Sequence, residues 1–255
     1  MATARAHLES LLRDRRLDRT LTTALPPVDP RDEFAVAPVG VAALDGSLNG
    51  GFPRGQVSEL VGPRSSGRTS LLLQAMASAT SRGELVALVD VLDMFDPASA
   101  EAAGVDLARV LWIRGHMVIN PGLCRDLNQR ALEQAMRAFA LVLQAGNFGL
   151  VVFDVCEAAG DALRRLPFTT WLRLQRMVEG SQTVCLLLGT EPMARSSAGI
   201  TLRVGTRSAP GAPASARFSA RLFEGMDIRS DVLRARGSVR TTASVTVQTE
   251  TRRAV

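Results

Sequence analysis

The chain has 255 residues, 46% of them hydrophobic and only 4% aromatic, enough for one α/β domain with an aliphatic core and extra elements at its ends. No apolar run approaches membrane-spanning length, and the charged stretch Met1–Thr20 has no apolar core of the kind that marks a signal peptide. The net charge of +5 comes entirely from arginine, with no lysine anywhere.

In chain order, residues 2–19 read as an amphipathic helix with Leu8, Leu11 and Leu12 on one face, an element that must dock on its own domain or on a partner. Residues 22–39 hold four prolines and read as a connector. Val41, Leu44 and Leu48 share the face of a short helix that Asn49, Gly50 and Gly51 end. A βα alternation follows: strand 57–61, helix 68–82, strand 85–89, helix 97–104, strand 110–113, a loop around Asn120, Pro121 and Gly122, helix 127–145, strand 150–154, helix 168–180 and strand 184–188. Continuous aliphatic strands between helices imply a parallel sheet covered on both faces. Beyond it, alternating stretches at 200–204, 215–222, 227–234 and 243–249 read as antiparallel strands extending that sheet. The expected organisation is therefore an N-terminal helix (1–21), a connector (22–39), a core (40–204) and a basic C-terminal extension (205–255).

The extension is basic by count. Residues 195–255 carry 11 arginines against 4 acids, whereas the first 194 carry 19 against 21. Such an end suits a polyanion or an acidic protein partner, or else the solvated face of an edge strand. Cys124, Cys156 and Cys185 lie too far apart for a metal motif, and two of them fall in apolar runs, so the chain reads as reduced and cytoplasmic. His7 and His116 have no partner at catalytic spacing, and Trp112 and Trp171 read as core or near-core residues.

The most informative stretch is Gly62-Pro-Arg-Ser-Ser-Gly67-Arg68-Thr69-Ser70, with an apolar strand before it and an apolar helix after it. Strand, glycine-bounded turn and helix start form a phosphate-binding loop, in which converging N–H groups and the helix N-terminus meet an anion. Thr69 stands where a hydroxyl reaches Mg²⁺, and Asp154 ends a strand, as the carboxylate that orients Mg²⁺ does. The motif asks for lysine at position 68 and finds arginine.

From Val39 to Thr69 the chain resembles the opening of the RecA core, and Asp90-Val-Leu-Asp-Met-Phe-Asp-Pro97 with Ala103-Gly-Val-Asp106 resembles its next part. The similarity spans roughly residues 39–204, and the compact size and altered site look most like ImuA, the RecA-like member of bacterial mutagenic-repair cassettes. The resemblance implies a RecA-like fold with ATP and Mg²⁺ at Gly62, Gly67, Arg68, Thr69, Ser70 and Asp154. It also implies a catalytic glutamate where this chain has Leu92, and a γ-phosphate-sensing glutamine where Gly189-Thr-Glu191-Pro stands. Leucine cannot accept a proton, and general-base help is worth ~10²–10⁴-fold. Asp93, next along, points elsewhere, and Glu191 would repel phosphate if it faced the pocket. No cofactor is then required for function, and residual binding of ATP with Mg²⁺ is the most that the site would retain.

The two DNA-binding loops of RecA correspond here to brief segments, 155–167 with Arg164 and Arg165, and 191–199 with Arg195. Arginine contacts to phosphate without aromatic stacking imply weak, sequence-independent DNA binding. By the resemblance, the function is a non-catalytic adaptor of error-prone translesion synthesis in the SOS response. Its partners would be an ImuB-type inactive Y-family polymerase homologue, an error-prone replicative-type polymerase and RecA itself. Leu8, Leu11, Leu12, Arg234, Arg236, Arg252 and Arg253 are the candidate contacts, and the place of action is the nucleoid. The alternatives are a DNA-stimulated ATPase or recombinase, and a binding-type inhibitor of recombination or cell division.

Overall fold

The computed structural model of the chain describes residues 35–117, 125–156, 158, 160–194, 198–206, 225–235 and 244–250. The elements are β1 (Val36–Ala37), α1 (Ala42–Ser47), β2 (Phe52–Pro53), β3 (Gln56–Val61), α2 (Arg68–Ser81), β4 (Val86–Asp90), α3 (Pro97–Ala102), β5 (Val110–Arg114), α4 (Arg125–Ala145), β6 (Leu150–Asp154), α5 (Gly160–Arg164), α6 (Phe168–Val178), β7 (Val184–Gly189), β8 (Ala198–Thr206), β9 (Gly225–Ala235) and β10 (Ser244–Glu250).

Eight strands form one sheet in the order β10-β9-β8-β3-β7-β6-β4-β5. Strands β4, β6 and β7 are buried along almost their whole length, because helices cover both faces and leave no wet side for polar residues. Leu60, Leu88, Val152 and Leu186 face one apolar layer with α1, α2 and α3. Val57, Val89, Phe153 and Leu187 face the other, with α4 and α6. In that second layer the rings of Phe139 and Phe153 meet at 4.9 Å between centroids, and burying each such ring contributes about 1.5–3 kcal/mol.

Local sequence explains the boundaries. Asn49 at φ 55°, followed by Gly50 and Gly51 at φ 114° and 132°, turns the chain out of α1. Asp45, inside that helix, accepts from the backbone N–H groups of Val39 and Gly40 and ties the entering segment down. Asp96 caps α3 by accepting from the Ala98 and Ser99 N–H groups, with Pro97 at the first helical position.

Three expectations are corrected. The alternating stretch 200–204 is not a purely antiparallel strand: β8 runs parallel to β3 on one side and antiparallel to β9 on the other. Its polar Arg203 faces solvent at the top of a strand otherwise buried through Ile200, Leu202 and Val204. The segment 155–167 is not a plain loop but contains α5, because Ala162, Leu163 and Leu166 find apolar partners in the second layer. The connector ends in β1, whose Val36 and Ala37 pair antiparallel with Pro53 and Phe52 of β2. The N-terminal helix, the loop around Asn120 and the stretch 215–222 lie outside the described residues. At the C-terminus β9 and β10 pair antiparallel, as the alternation implies.

Candidate phosphate-binding site

The loop between β3 and α2 takes its shape from three residues. Ser65 at φ 58° and Gly67 at φ 89° are left-handed turns that swing successive N–H groups toward one side. At Gly62 a Cβ would lie 2.2 Å from the carbonyl oxygen of Val204, so β8 leaves no room for a side chain. At Gly67 a Cβ would meet Ile228 of β9 at 2.3 Å. Helix α2 begins with no side-chain cap and no acid in its first turn, which leaves its N-terminal N–H groups for an external anion. The loop opens on a cleft of about 380 Å³ bounded by the ends of β4 and β6 and by Leu92, Met94, Phe95 and Asp96.

Gly67, Arg68, Thr69, Ser70 and Asp154 all line this cleft; Gly62 is buried and does not line it. Thr69 and Ser70 are exposed at its mouth. Arg68 is buried, and its Nη1 donates to the Gly189 carbonyl at the end of β7, 2.7 Å away. Asp154 and Asp90 sit opposite each other on paired strands. Asp154 Oδ1 accepts from the Cys156 N–H at 2.9 Å. Its rim touches solvent, but its carboxyl lies deep enough that loss of hydration raises its pKa. Neighbouring Asp90 adds to the rise, while the Cys156 hydrogen bond and Arg68 oppose it. Among the described residues no group of three or more His, Cys, Asp or Glu forms a ready-made metal site. Thr69 and Asp154, the two residues expected at a Mg²⁺, both line the cleft.

The opposite wall is an arch tied in place by side chains the sequence reading did not assign to the site. Asp90 Oδ2 accepts from the Phe95 N–H at 2.7 Å and from Trp112 Nε1 at 3.2 Å. Phe95 and Trp112 meet edge to face at 5.3 Å, and the Arg114 guanidinium lies 4.7 Å over the Trp112 ring. Arg114 also holds Asp93 through two hydrogen bonds of 2.7 Å, which keeps the Asp93 carboxyl below its usual pKa range. Asp93 does not line the cleft; Leu92 does. Glu191 is exposed, pairs with Arg203 at 3.1 Å and likewise does not line the cleft. The signal for the arch lay in Trp112 two residues before Arg114, but only strand register brings both beside Asp90.

The remaining candidates are scattered. Arg164 and Arg165 are exposed at the end of α5, and Arg234 is exposed on β9. None of the three lines the cleft. Leu8, Leu11, Leu12, Arg195, Arg236, Arg252 and Arg253 lie outside the described residues.

A family model for the RecA N-terminal domain matches residues 27–159, just over half of the chain and the whole of the loop, arch and Asp154. The chain belongs to the RecA N-terminal domain family. Among curated relatives, Protein RecA of Clavibacter michiganensis subsp. michiganensis is 39% identical over 131 residues, which is 51% of this chain and 32% of the relative. Protein RecA of Chlorobaculum parvum is 34% identical over 164 residues, 58% of this chain and 43% of the relative. This RecA-family chain thus spans less than half the length of these relatives. A crystal structure of the RadB recombinase superposes with a TM-score of 0.57 at 18% identity, covering 84% of this chain and 96% of that one, a likeness of fold. Among the described residues of this RecA-family chain, no helix is long and apolar enough to cross a membrane.

Proposed function

We propose that this RecA-family chain is a non-catalytic adaptor in DNA repair, of the ImuA type, that regulates error-prone translesion synthesis in the SOS response. The observation that carries the reading is the arch: Leu92 faces the cleft where the RecA resemblance calls for a catalytic glutamate, and Asp93 is held away by Arg114. A leucine there offers no base to the attacking water, and Arg68 is partly engaged by the Gly189 carbonyl.

The cradle itself suits phosphate. Its glycines are sterically required and its helix N-terminus is uncapped. ATP with Mg²⁺ would be held by the N–H groups of the loop, by Arg68, and by Thr69 and Asp154, supplying charge and order rather than turnover. The bound nucleotide then acts as a structural effector, though the adaptor role does not require it. The proposed partners are an ImuB-type inactive Y-family polymerase homologue, an error-prone replicative-type polymerase and RecA, at the nucleoid. Arginines such as Arg164 and Arg165 supply weak, salt-sensitive contacts to DNA.

A second reading, a DNA-stimulated ATPase, draws on the same cradle: Gly62, Gly67, Thr69 and Asp154 all fit it. Equilibrium Mg²⁺·ATP binding and turnover, with and without single-stranded DNA, separate the two. The adaptor reading expects no turnover by the natural protein and a gain in the Arg68→Lys, Leu92→Glu double variant. Turnover by the natural protein would establish the ATPase instead.

A further inference from the structure

Away from the phosphate loop, on the second face of the sheet, α4 and α6 enclose a cavity of about 520 Å³. Its lining combines two kinds of side chain. Met136, Ala140 and Met177 give it an apolar floor, and Arg137, Arg173 and Arg176 stand exposed around it. Among the described residues none of these three arginines has a hydrogen-bond or ion-pair partner, whereas Arg54, Arg82, Arg109, Arg114, Arg203 and Arg229 are each paired with an acid. Exposed Leu172 beside the cavity and Leu141 one turn along α4 extend its apolar margin.

We infer that this groove docks an acidic, amphipathic segment of a partner protein, whose apolar side chains enter the cavity while its carboxylates pair with Arg137, Arg173 and Arg176. Flexible methionine floors adapt to differently shaped apolar side chains, and a helix or turn laid in a groove presents such anchors at i and i+4. Guanidiniums around the rim give orientation and an on-rate that falls with salt. The chemistry selects against two other occupants. Residues 1–21 of this chain carry 5 arginines against 3 acids, the same sign as the rim. Single-stranded DNA offers phosphates, but among the described residues no aromatic side chain lines the cavity to stack its bases, and its backbone would leave the methionine floor unfilled. The inference does not depend on the state of the nucleotide site, since the groove lies on the opposite face of the sheet from α2.

The test is selection of random peptides displayed on phage against the full-length protein, followed by fluorescence polarisation with the selected peptides. Peptides enriched in Asp and Glu around two apolar residues are expected. Their affinity should fall at least tenfold with Arg173→Glu, Arg176→Glu, and also with the cavity-filling Ala140→Phe, while circular dichroism stays unchanged. Selected peptides without acidic character, or binding indifferent to both variants, would overturn the inference. Tighter peptide binding after removal of residues 1–34 would assign the groove to the chain's own N-terminus instead. Loss of single-stranded DNA binding in the arginine variant, with no acidic peptides selected, would assign it to nucleic acid. If Ala140→Phe fails to fold, the exposed arginine variant still decides the matter.

Discussion

Gly62 and Gly67 differ in what excludes a side chain. The obstacle at Gly62 is a backbone carbonyl of β8, which cannot move without breaking the sheet, whereas at Gly67 it is the flexible end of Ile228 together with a left-handed φ. Gly62→Ala should therefore destabilise by more than Gly67→Ala, which costs on the order of 1 kcal/mol from its backbone alone. Urea unfolding of both variants measures the order.

At Asp154 stability and chemistry oppose each other. Burial raises its folded pKa above the unfolded value, so the folded state holds the proton longer. Stability contributed by the neutral form is present at low pH and is lost as pH rises through the folded pKa. Asp154→Asn should thus be more stable than the natural protein at pH 7, with the gap closing in acid, and should bind Mg²⁺·nucleotide more weakly. Glu84 carries the reverse sign. Burial works against its ionised form, but hydrogen bonds and charge from Arg82 and Arg54 outweigh that and lower its pKa. Glu84→Gln should destabilise at neutral pH, and the deficit should shrink as pH falls through the folded pKa of Glu84, where the natural side chain also loses its charge. Denaturation midpoints across pH test both signs.

Among the elements, β3 has the most to hold together. Its Glu59 is fully buried, with Oε1 accepting from the Met193 and Ala194 N–H groups and Oε2 from Thr201 Oγ1, all at 2.7 Å. One carboxylate thereby fastens the exit of β7 to β8. Removing it takes the acceptor from the half-buried Met193 N–H, the buried Ala194 N–H and the buried Thr201 hydroxyl, so Glu59→Ala should cost on the order of 3 kcal/mol. Hydrogen exchange at Met193 and Ala194 should accelerate with it, and unchanged exchange there would sink the fastening role. Nothing in the sequence marked Glu59. A lone acid in an apolar strand is legible only when its partners, more than 130 residues away, are in view. The arch over the cleft is similar: Leu92 could be read against the RecA pattern, but the capture of Asp93 by Arg114 needed the register of β4 against β5.

For the whole molecule, the C-terminal strands are part of the body rather than an appendage. Ile228 and Val232 of β9 are buried in the same apolar layer as α2, and α1 packs against β10. Ile228 also fills the space over Gly67. Truncation at residue 205 should therefore lower the melting temperature and disturb the phosphate loop together, rather than yield a folded core with a lost tail. A truncated protein that melts like the full chain would refute this. Charge on β9 follows the pleat as far as Val232: Arg229 is exposed while Ile228, Ser230 and Val232 are buried, and a register shift against β8 after Val232 then leaves Arg234 exposed; Arg229 is already paired with Asp231 at 3.1 Å. On that strand, which lies between β8 and the edge strand β10, the basic residues belong to the solvated face.

Local information was sufficient for the alternation of strands and helices, the loop at 62–70 and the strand-ending carboxylate at 154, whereas the reading of Leu92 rested on the resemblance to RecA. Those signals are periodicity, glycine spacing and residue type at fixed short separations, and they survive without knowledge of neighbours. The tertiary structure decided what depends on strands meeting across long separations. It placed β8 parallel to β3, carried Arg68 to the Gly189 carbonyl, turned Asp93 and Glu191 toward arginines and away from the cleft, and opened a groove between α4 and α6 around three exposed guanidiniums. Pairing free energy between distant strands selects one register from many, and no local pattern encodes which side chains that register brings into contact.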